Sequence, residues 1–313
     1  MSILPAASLA CDTRPSGFGF HVRCQESLRF LRSGGGAETL EVVVTPEPRK
    51  RPDSAPLADW RLAGPAHPER GTLYQVGRHF EFWATDAGAY RIYPELGRIE
   101  MPETPDEIVR EQRLWGIPTA LCFMHREDVA LHAAAVEVDG GALVLAAPRR
   151  HGKTTLALAF HRHGYRVLSE DLTCCRPATV PTVLPGPALL RIRPDVYDGL
   201  PPPGTHVVAS RPDRVYLAID DDHRGSSAPV PITAVVFLRE SPDAIAVTPM
   251  TRGAALPDLW SLSFRLATDD GRGRTFRQLA RLAGALPIWN LCRPMRLGSL
   301  DATVEQIVRM CQS

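Results

Sequence analysis

LHAAAVEVDGGALVLAAPRRHGKTTLALAFHRHGYRVLSEDL, residues 131–172, is the stretch that decides how this chain is read. Inside it, Ala147-Pro148-Arg149-Arg150-His151-Gly152-Lys153-Thr154 has the spacing of a phosphate-binding P-loop, with alanine where the strict pattern has its first glycine. An apolar run at 142–147 predicts the strand that feeds such a loop. A helical pattern over 153–163 predicts the helix that leaves it, with Gly164 placed as the left-handed residue after its end. A loop wrapped at a helix N-terminus aims backbone N–H groups and the positive end of the dipole at phosphate oxygens. Lys153 then meets the β/γ-phosphates and the Thr154 hydroxyl meets Mg2+. Ala147, Gly152 and Thr155 complete the nucleotide set. Arg149, Arg150 and His151 join it if they face the phosphates rather than water, and the sequence leaves both orientations open. Alanine at 147 is tolerated if φ there is negative; a positive φ would cost on the order of 1 kcal/mol.

On the N-terminal side, 129–138 reads as one strand, and Asp139-Gly140-Gly141 as a tight turn, so the loop is fed by a β-hairpin. His132 lies in that strand, either as a satisfied structural histidine or as a residue flanking the phosphates. On the other side, a short strand at 165–168 ends in Ser169-Glu170-Asp171. Ligands of open α/β sheets collect at the carboxyl ends of strands. Phosphoryl transfer needs one carboxylate to accept the nucleophile's proton and one to hold Mg2+. Two adjacent acids at this place suit both tasks, although acid pairs also cap turns.

Further out, strands are expected at 172–176, 180–184, 189–192, 215–219, 232–238, 245–250 and 287–291, with Pro201-Pro202-Pro203-Gly204 as a loop. A helix at 275–286 puts Phe276, Leu279, Leu282 and Ala283 on one face, and another at 301–310 buries Val304, Ile307 and Val308. Arg191, Arg193 and Asp195 are candidates for substrate or phosphate contacts. Arg272, Arg274, Arg277 and Arg281 are further candidates, with a solvated helix face as their default. Residues 1–126 are rich in proline and glycine: strands at 39–45, 71–76, 79–84 and 89–93, a surface loop at 49–64, and a helical stretch at 103–124 started or kinked by Pro118. The expectation is a small, mostly β N-terminal domain, 1–126, assisting acceptor binding, ahead of a catalytic domain, 127–313.

The 313 residues, 44% hydrophobic and 23% charged with a formal net charge of +1, suit a soluble globular protein and offer no global pull toward nucleic acid or an acidic membrane. No apolar run approaches the roughly 20 residues of a membrane helix. The apolar run 3–10 ahead of Cys11 lacks a basic flank and is broken by Pro5, so it reads as structure rather than as a signal. Seven cysteines without metal spacing fit reduced thiols and a cytoplasmic protein.

Leu131-His132-Ala133 through Val138, the P-loop and Leu168-Ser169-Glu170-Asp171 together resemble the catalytic domain of the HPr kinase/phosphorylase family, and more closely the HPr-kinase-related proteins of lasso-peptide and other ribosomal-peptide biosynthesis. Val183-Leu184-Pro185-Gly186-Pro187 with Leu190-Arg191-Ile192-Arg193-Pro194-Asp195, and the segment 274–291, are similar to later parts of that group. The resemblance implies an α/β fold with a P-loop core like that of phosphoenolpyruvate carboxykinases, a mixed β-sheet and flanking helices. It also implies ATP and Mg2+ as cofactors, Glu170 as general base, Asp171 and Thr154 at the metal, Lys153 on ATP and His132 near the phosphates. The family usually has Asp-Asp where this chain has Glu170-Asp171, and Gly-x-Ser-Gly-x-Gly-Lys-Ser where it has 147–154. The expected activity is an ATP-dependent kinase acting on a hydroxyl: a serine or the C-terminal residue of a biosynthetic precursor peptide. A small-molecule acceptor and a non-catalytic nucleotide-binding module are the alternatives, and homo-oligomerisation is left open.

Overall fold

The hairpin ahead of the loop fixes the centre of the molecule. In the computed structural model, which describes residues 14–46, 50–61 and 70–312 without the Arg61 side chain, Ala133–Val138 pairs antiparallel with Gly141–Ala146 in continuous register. Asp139 and Gly140 both take positive φ, 50° and 78°, the signature of a type I′ turn whose twist matches the strands it joins. Every residue of Gly141–Ala146 is buried, because the strand is covered on both faces. Leu143 and Leu145 face one apolar cluster, with Leu156 and Phe160 of the helix Lys153–Arg162 and Val304 and Ile307 of the helix Leu300–Cys311. Val144 and Ala146 face the other, with Leu259 of Arg252–Leu262 and Leu279 and Leu282 of Asp269–Ala285. The alternation of period two thus makes a three-layer α/β unit.

The sheet is mixed. Gly141–Ala146 runs parallel to Val230–Glu240, which runs parallel to Ile288–Arg293. Their carboxyl ends therefore open on one side, where the helix Lys153–Arg162 begins. Arg166–Ser169 pairs with the hairpin's other strand. A three-stranded sheet of Leu189–Ile192, Val215–Ile219 and Thr205–Ser210 lies against the first apolar cluster.

Strands between Pro15 and Pro102 form a separate nine-stranded sheet, followed by helices Glu107–Leu114 and Ile117–His125. Pro118 sits in the first turn of the second helix, where its missing N–H costs nothing. One apolar cluster joins Phe82, Ile92 and Phe123 of this region to Ala130, Cys174 and Leu184 of the central sheet. Arg32, 1% exposed, ties the two further: its guanidinium donates to Gly186 O at 2.8 Å, to Val167 O at 2.7 Å and to Arg224 O.

Several expectations need correction. Residues 129–138 are not one strand. Val129–Leu131 pairs with Thr173–Arg176 while Ala133–Val138 pairs with the hairpin, and the break falls on His132, whose N–H donates instead to Leu262 O at 2.7 Å. The stretch 49–64 contains a strand, Ala58–Arg61, because Arg70–Val76 offers it a free edge; residues 47–49 and 62–69 lie outside the described residues, as do 1–13 with the run 3–10 and Cys11. Phe276 is 49% exposed and meets Trp260 edge-to-face, so the buried apolar face of its helix is Leu279, Leu282 and Ala283. Val308 is only half-buried. Thr205–Ser210 and Arg252–Leu262 lie outside the expected elements; Pro257 and a near-uniform apolar content hide the second. Among the described residues no helix is long and apolar enough to cross a membrane, and the described cysteines are all free.

Candidate active site

The loop between Ala146 and Lys153 closes over the start of the helix. Gly152 takes φ +76°, which favours glycine, and a Cβ there would meet Arg293 Nη2, so the Arg293 side-chain end would have to shift. Ala147 is buried and does not adopt a positive φ; the left-handed residue inside the loop is Arg150, at φ +68°.

Lys153 is 6% exposed and turns back over its own loop. Its ammonium donates to Ala147 O at 2.8 Å and Pro148 O at 3.0 Å, and lies 3.0 Å from His132 Nε2. Burial pushes its pKa down to about 8, against the opposing pull of Asp171 and Glu170, and with Arg149 adding to the fall. His132 Nδ1 lies 3.2 Å from Asp171 Oδ1 and 3.3 Å from Asp171 O. With acceptors at Nδ1 and an ammonium at Nε2, the tautomer that satisfies both sides carries its proton on Nδ1. The strand break at 132 puts the histidine here; in a continuous strand its N–H would have gone to the ladder.

Glu170 and Asp171 follow directly on the strand Arg166–Ser169, and Arg191 locks the pair. Arg191 sits between buried Leu190 and Ile192 on its strand, so period two turns it away from their cluster and toward the acids. Its Nε donates to Glu170 Oε2 at 3.0 Å and its Nη2 to Asp171 Oδ2 at 2.6 Å. The Thr154 hydroxyl donates to Glu170 Oε1. The carboxylate that Thr154 touches is therefore Glu170, while Asp171, expected beside it at the metal, is held by His132 and Arg191.

The two acids are driven apart. Burial raises Glu170 and the charge of Asp171 raises it further, with Arg191 and the Thr154 hydroxyl only partly opposing. For Asp171, burial alone would also raise the pKa, but Arg191 and His132 outweigh it and hold the group well below the usual carboxylate range. Between them the two acids raise the pKa of Arg191 despite its burial, so it stays charged.

These groups line a cavity of about 530 Å³ that runs from the loop to Trp60, Phe82, Asp106 and Arg113 in the first part of the chain. Ten basic side chains line it against six carboxylates, although the whole chain carries only +1. Asp86 pairs Arg113, Asp106 pairs Arg211, and Asp195 pairs Arg193. The excess positive charge lies on the loop side, in Arg149, Arg150, Lys153, Arg293 and Arg296. Arg149 and Arg150 are exposed and line the cavity. His151 does not line it: its ring bonds Arg149 O at 3.0 Å. Thr155 lines the cavity from the first helical turn.

The run 272–281 is not brought here. Arg272 and Arg274 pair with Asp269 and Asp270 on their own helix, and Arg281 bonds Gln278. Arg293, Met295, Arg296 and Leu297 do reach the cavity, and sequence reasoning misses all four. Their only signal is Arg293-Pro294 just past the expected strand 287–291, which says nothing until that strand is known to lie two places from Gly141–Ala146.

The donor set suits MgATP. A helix N-terminus, a cationic wall, and a Thr154 hydroxyl whose proton is committed to Glu170 and whose lone pairs are left for a cation match what Mg2+ bound through phosphates requires. Among the described residues no cluster of three or more His, Cys, Asp or Glu could hold a metal ion.

No family model matches the chain, and no curated protein matches it. Among solved structures it is similar to the HPr(Ser) kinase/phosphatase from Coxiella burnetii, at 9% identity and a TM-score of 0.33, over 58% of this chain and 95% of that one. A likeness this low leaves the chemistry to be read from the side chains themselves.

Proposed function

We propose that this chain is an ATP-dependent phosphotransferase that moves a phosphoryl group to a hydroxyl. One observation carries it: in a single cavity, a P-loop helix with Lys153 at its start faces a carboxylate pair whose proton affinities are split, joined by Arg191. Loop amides, Lys153, Arg149 and Arg150 hold the polyphosphate, and Thr155 borders the nucleotide. Mg2+ held by phosphate oxygens and Thr154 would neutralise charge on the transferring group. Glu170, with its raised proton affinity, takes the acceptor's hydroxyl proton. Asp171 stays an anion, orients His132 and is available to the cation. His132, in its Nδ1–H form, keeps Lys153 aimed along the loop.

In this reading residues 127–313 carry the nucleotide chemistry and 1–126 help bind the acceptor, since Trp60, Phe82, Asp106 and Arg113 wall the cavity opposite the loop. The acceptor is a serine or the C-terminal residue of a biosynthetic precursor peptide. The cavity favours a second reading as well: about 530 Å³ is the size of a small-molecule site, and beside a nucleotide it admits one residue or one compact metabolite.

The test is transfer of label from γ-labelled ATP with Mg2+ to serine-containing peptides and to small alcohols, comparing wild type with Lys153→Ala and Glu170→Gln. Transfer by wild type alone supports the assignment. Label on small alcohols only selects the second reading, equal transfer by all three removes the site, and ATP binding without transfer makes the chain a nucleotide-binding module.

A further inference from the structure

The strand Ile288–Arg293 ends in a buried cation that no described carboxylate balances. Arg293 is 2% exposed, and no carboxylate pairs with it among the described residues. Its Nη1 reaches Pro294 O at 3.2 Å, its Nη2 reaches His151 O at a marginal 3.5 Å, and its Nε, also buried, has no partner among the described residues. An orphaned Nε alone does not set Arg293 apart, since the Nε of Arg110 is also buried without a partner among the described residues; the charges of the other buried arginines are met. Arg110 has Glu26, Arg113 has Asp86, and Arg32 has three backbone carbonyls. Burial of an uncompensated charge is costly enough that proteins pair it or use it.

The topology says what Arg293 is near. Parallel register aligns Ala146 with Phe237, and Phe237 with Asn290, so Arg293 projects three residues beyond the level at which the P-loop strand ends. There it occupies the space that a side chain on Gly152 would fill, and it lines the cavity with Lys153 and Arg149.

We propose that Arg293 is a built-in counter-charge for the polyphosphate of a nucleotide, reaching the cavity beside Gly152 from outside the loop motif. This rests on the ATP reading above. In the free protein its charge is a burden; the anion bound on the other side of Gly152 relieves it. Arg293 therefore lowers the stability of the free protein and raises affinity in proportion to phosphate charge. A purely structural arginine would do the opposite to stability.

The test uses the full chain with Arg293→Gln and Arg293→Lys, measuring the melting temperature without ligand and calorimetric affinities for MgATP and AMP. Expected for Arg293→Gln is a melting temperature equal to or above wild type, a loss of MgATP affinity on the order of tenfold, as one charge-assisted contact is worth, and a clearly smaller loss for AMP. Arg293→Lys, which keeps the charge, should recover part of the MgATP affinity. Unchanged MgATP affinity, equal losses for MgATP and AMP, or a glutamine variant that melts earlier or does not fold would each overturn the proposal. Wild type that binds no MgATP would instead refute the ATP reading.

Discussion

Replacing Arg191 by methionine removes the cation that bridges Glu170 and Asp171 while keeping most of the side chain's volume. Arg191 is 19% exposed and Glu170 8%, so two carboxylates would be left side by side with little water on one of them. Breaking a buried pair in this way costs about 3–5 kcal/mol; Asp171, whose side chain is 47% exposed, can still be hydrated, which puts the expectation near about 3 kcal/mol at pH 8. The loss must depend on pH. In the wild type Asp171 is held below its unfolded value, so its contribution is present above about pH 4 and disappears as pH falls through the folded value. Glu170 is raised, so it favours the fold below its unfolded value of about 4.3 and loses that contribution as pH rises through its folded value. Without Arg191 both folded values move up, which removes the first contribution and deepens the loss of the second. The destabilisation should then be largest at pH 8. At pH 5 it should shrink to about half or less, because the pair can share a proton there and the repulsion between the two adjacent charges is gone. Urea unfolding followed by tryptophan fluorescence at the two pH values measures it. Equal losses at pH 5 and pH 8, or none, would refute the reasoning.

Other outcomes follow from single residues. Lys153 titrates near 8 when the site is free, and a bound polyphosphate must raise that value, so MgATP binding should take up a proton at pH 8–9 and weaken as pH rises through about 8; calorimetry in buffers of different ionisation enthalpy reads it, and no proton uptake contradicts it. Arg150→Gly relieves a left-handed arginine, worth about 1 kcal/mol before glycine's extra unfolded-state freedom is subtracted, so a thermal scan should show a small rise in stability together with weaker MgATP binding; a fall in stability would show that the arginine is not strained. Arg32→Met strands the carbonyls of Gly186, Val167 and Arg224 and should cost at least about 2 kcal/mol in urea, with no change in MgATP affinity once folded.

The parts of this molecule that are readable in advance are those dictated by local chemistry. Apolar alternation with an Asp-Gly turn can hardly be anything but a hairpin, and the helix after Lys153 ends at Gly164 because that position needs φ +84°. The grouping of Lys153, Glu170 and Asp171 follows from spacing on consecutive elements. What stays hidden depends on partners distant in sequence. Nothing local reveals that His132 interrupts its strand, since the cause is Leu262 O, some 130 residues away. Arg191 is expected at substrate or phosphate, and its place between the two acids shows only once its strand lies beside them, while Arg293 becomes meaningful only through a parallel register across Val230–Glu240. The same limit explains Phe276: helical spacing assigns it to a face, and packing against Trp260 decides that the face stops short of it.

Calorimetric titration of MgATP into wild type, Lys153→Ala and Gly152→Ala tests the central claim most directly. Gly152→Ala puts a Cβ into a left-handed position against Arg293, and Lys153→Ala removes the ammonium, so both should lose at least about tenfold in affinity while wild type binds one nucleotide per chain. MgATP bound equally by all three proteins, or by none, would contradict a nucleotide site at Ala147–Thr154.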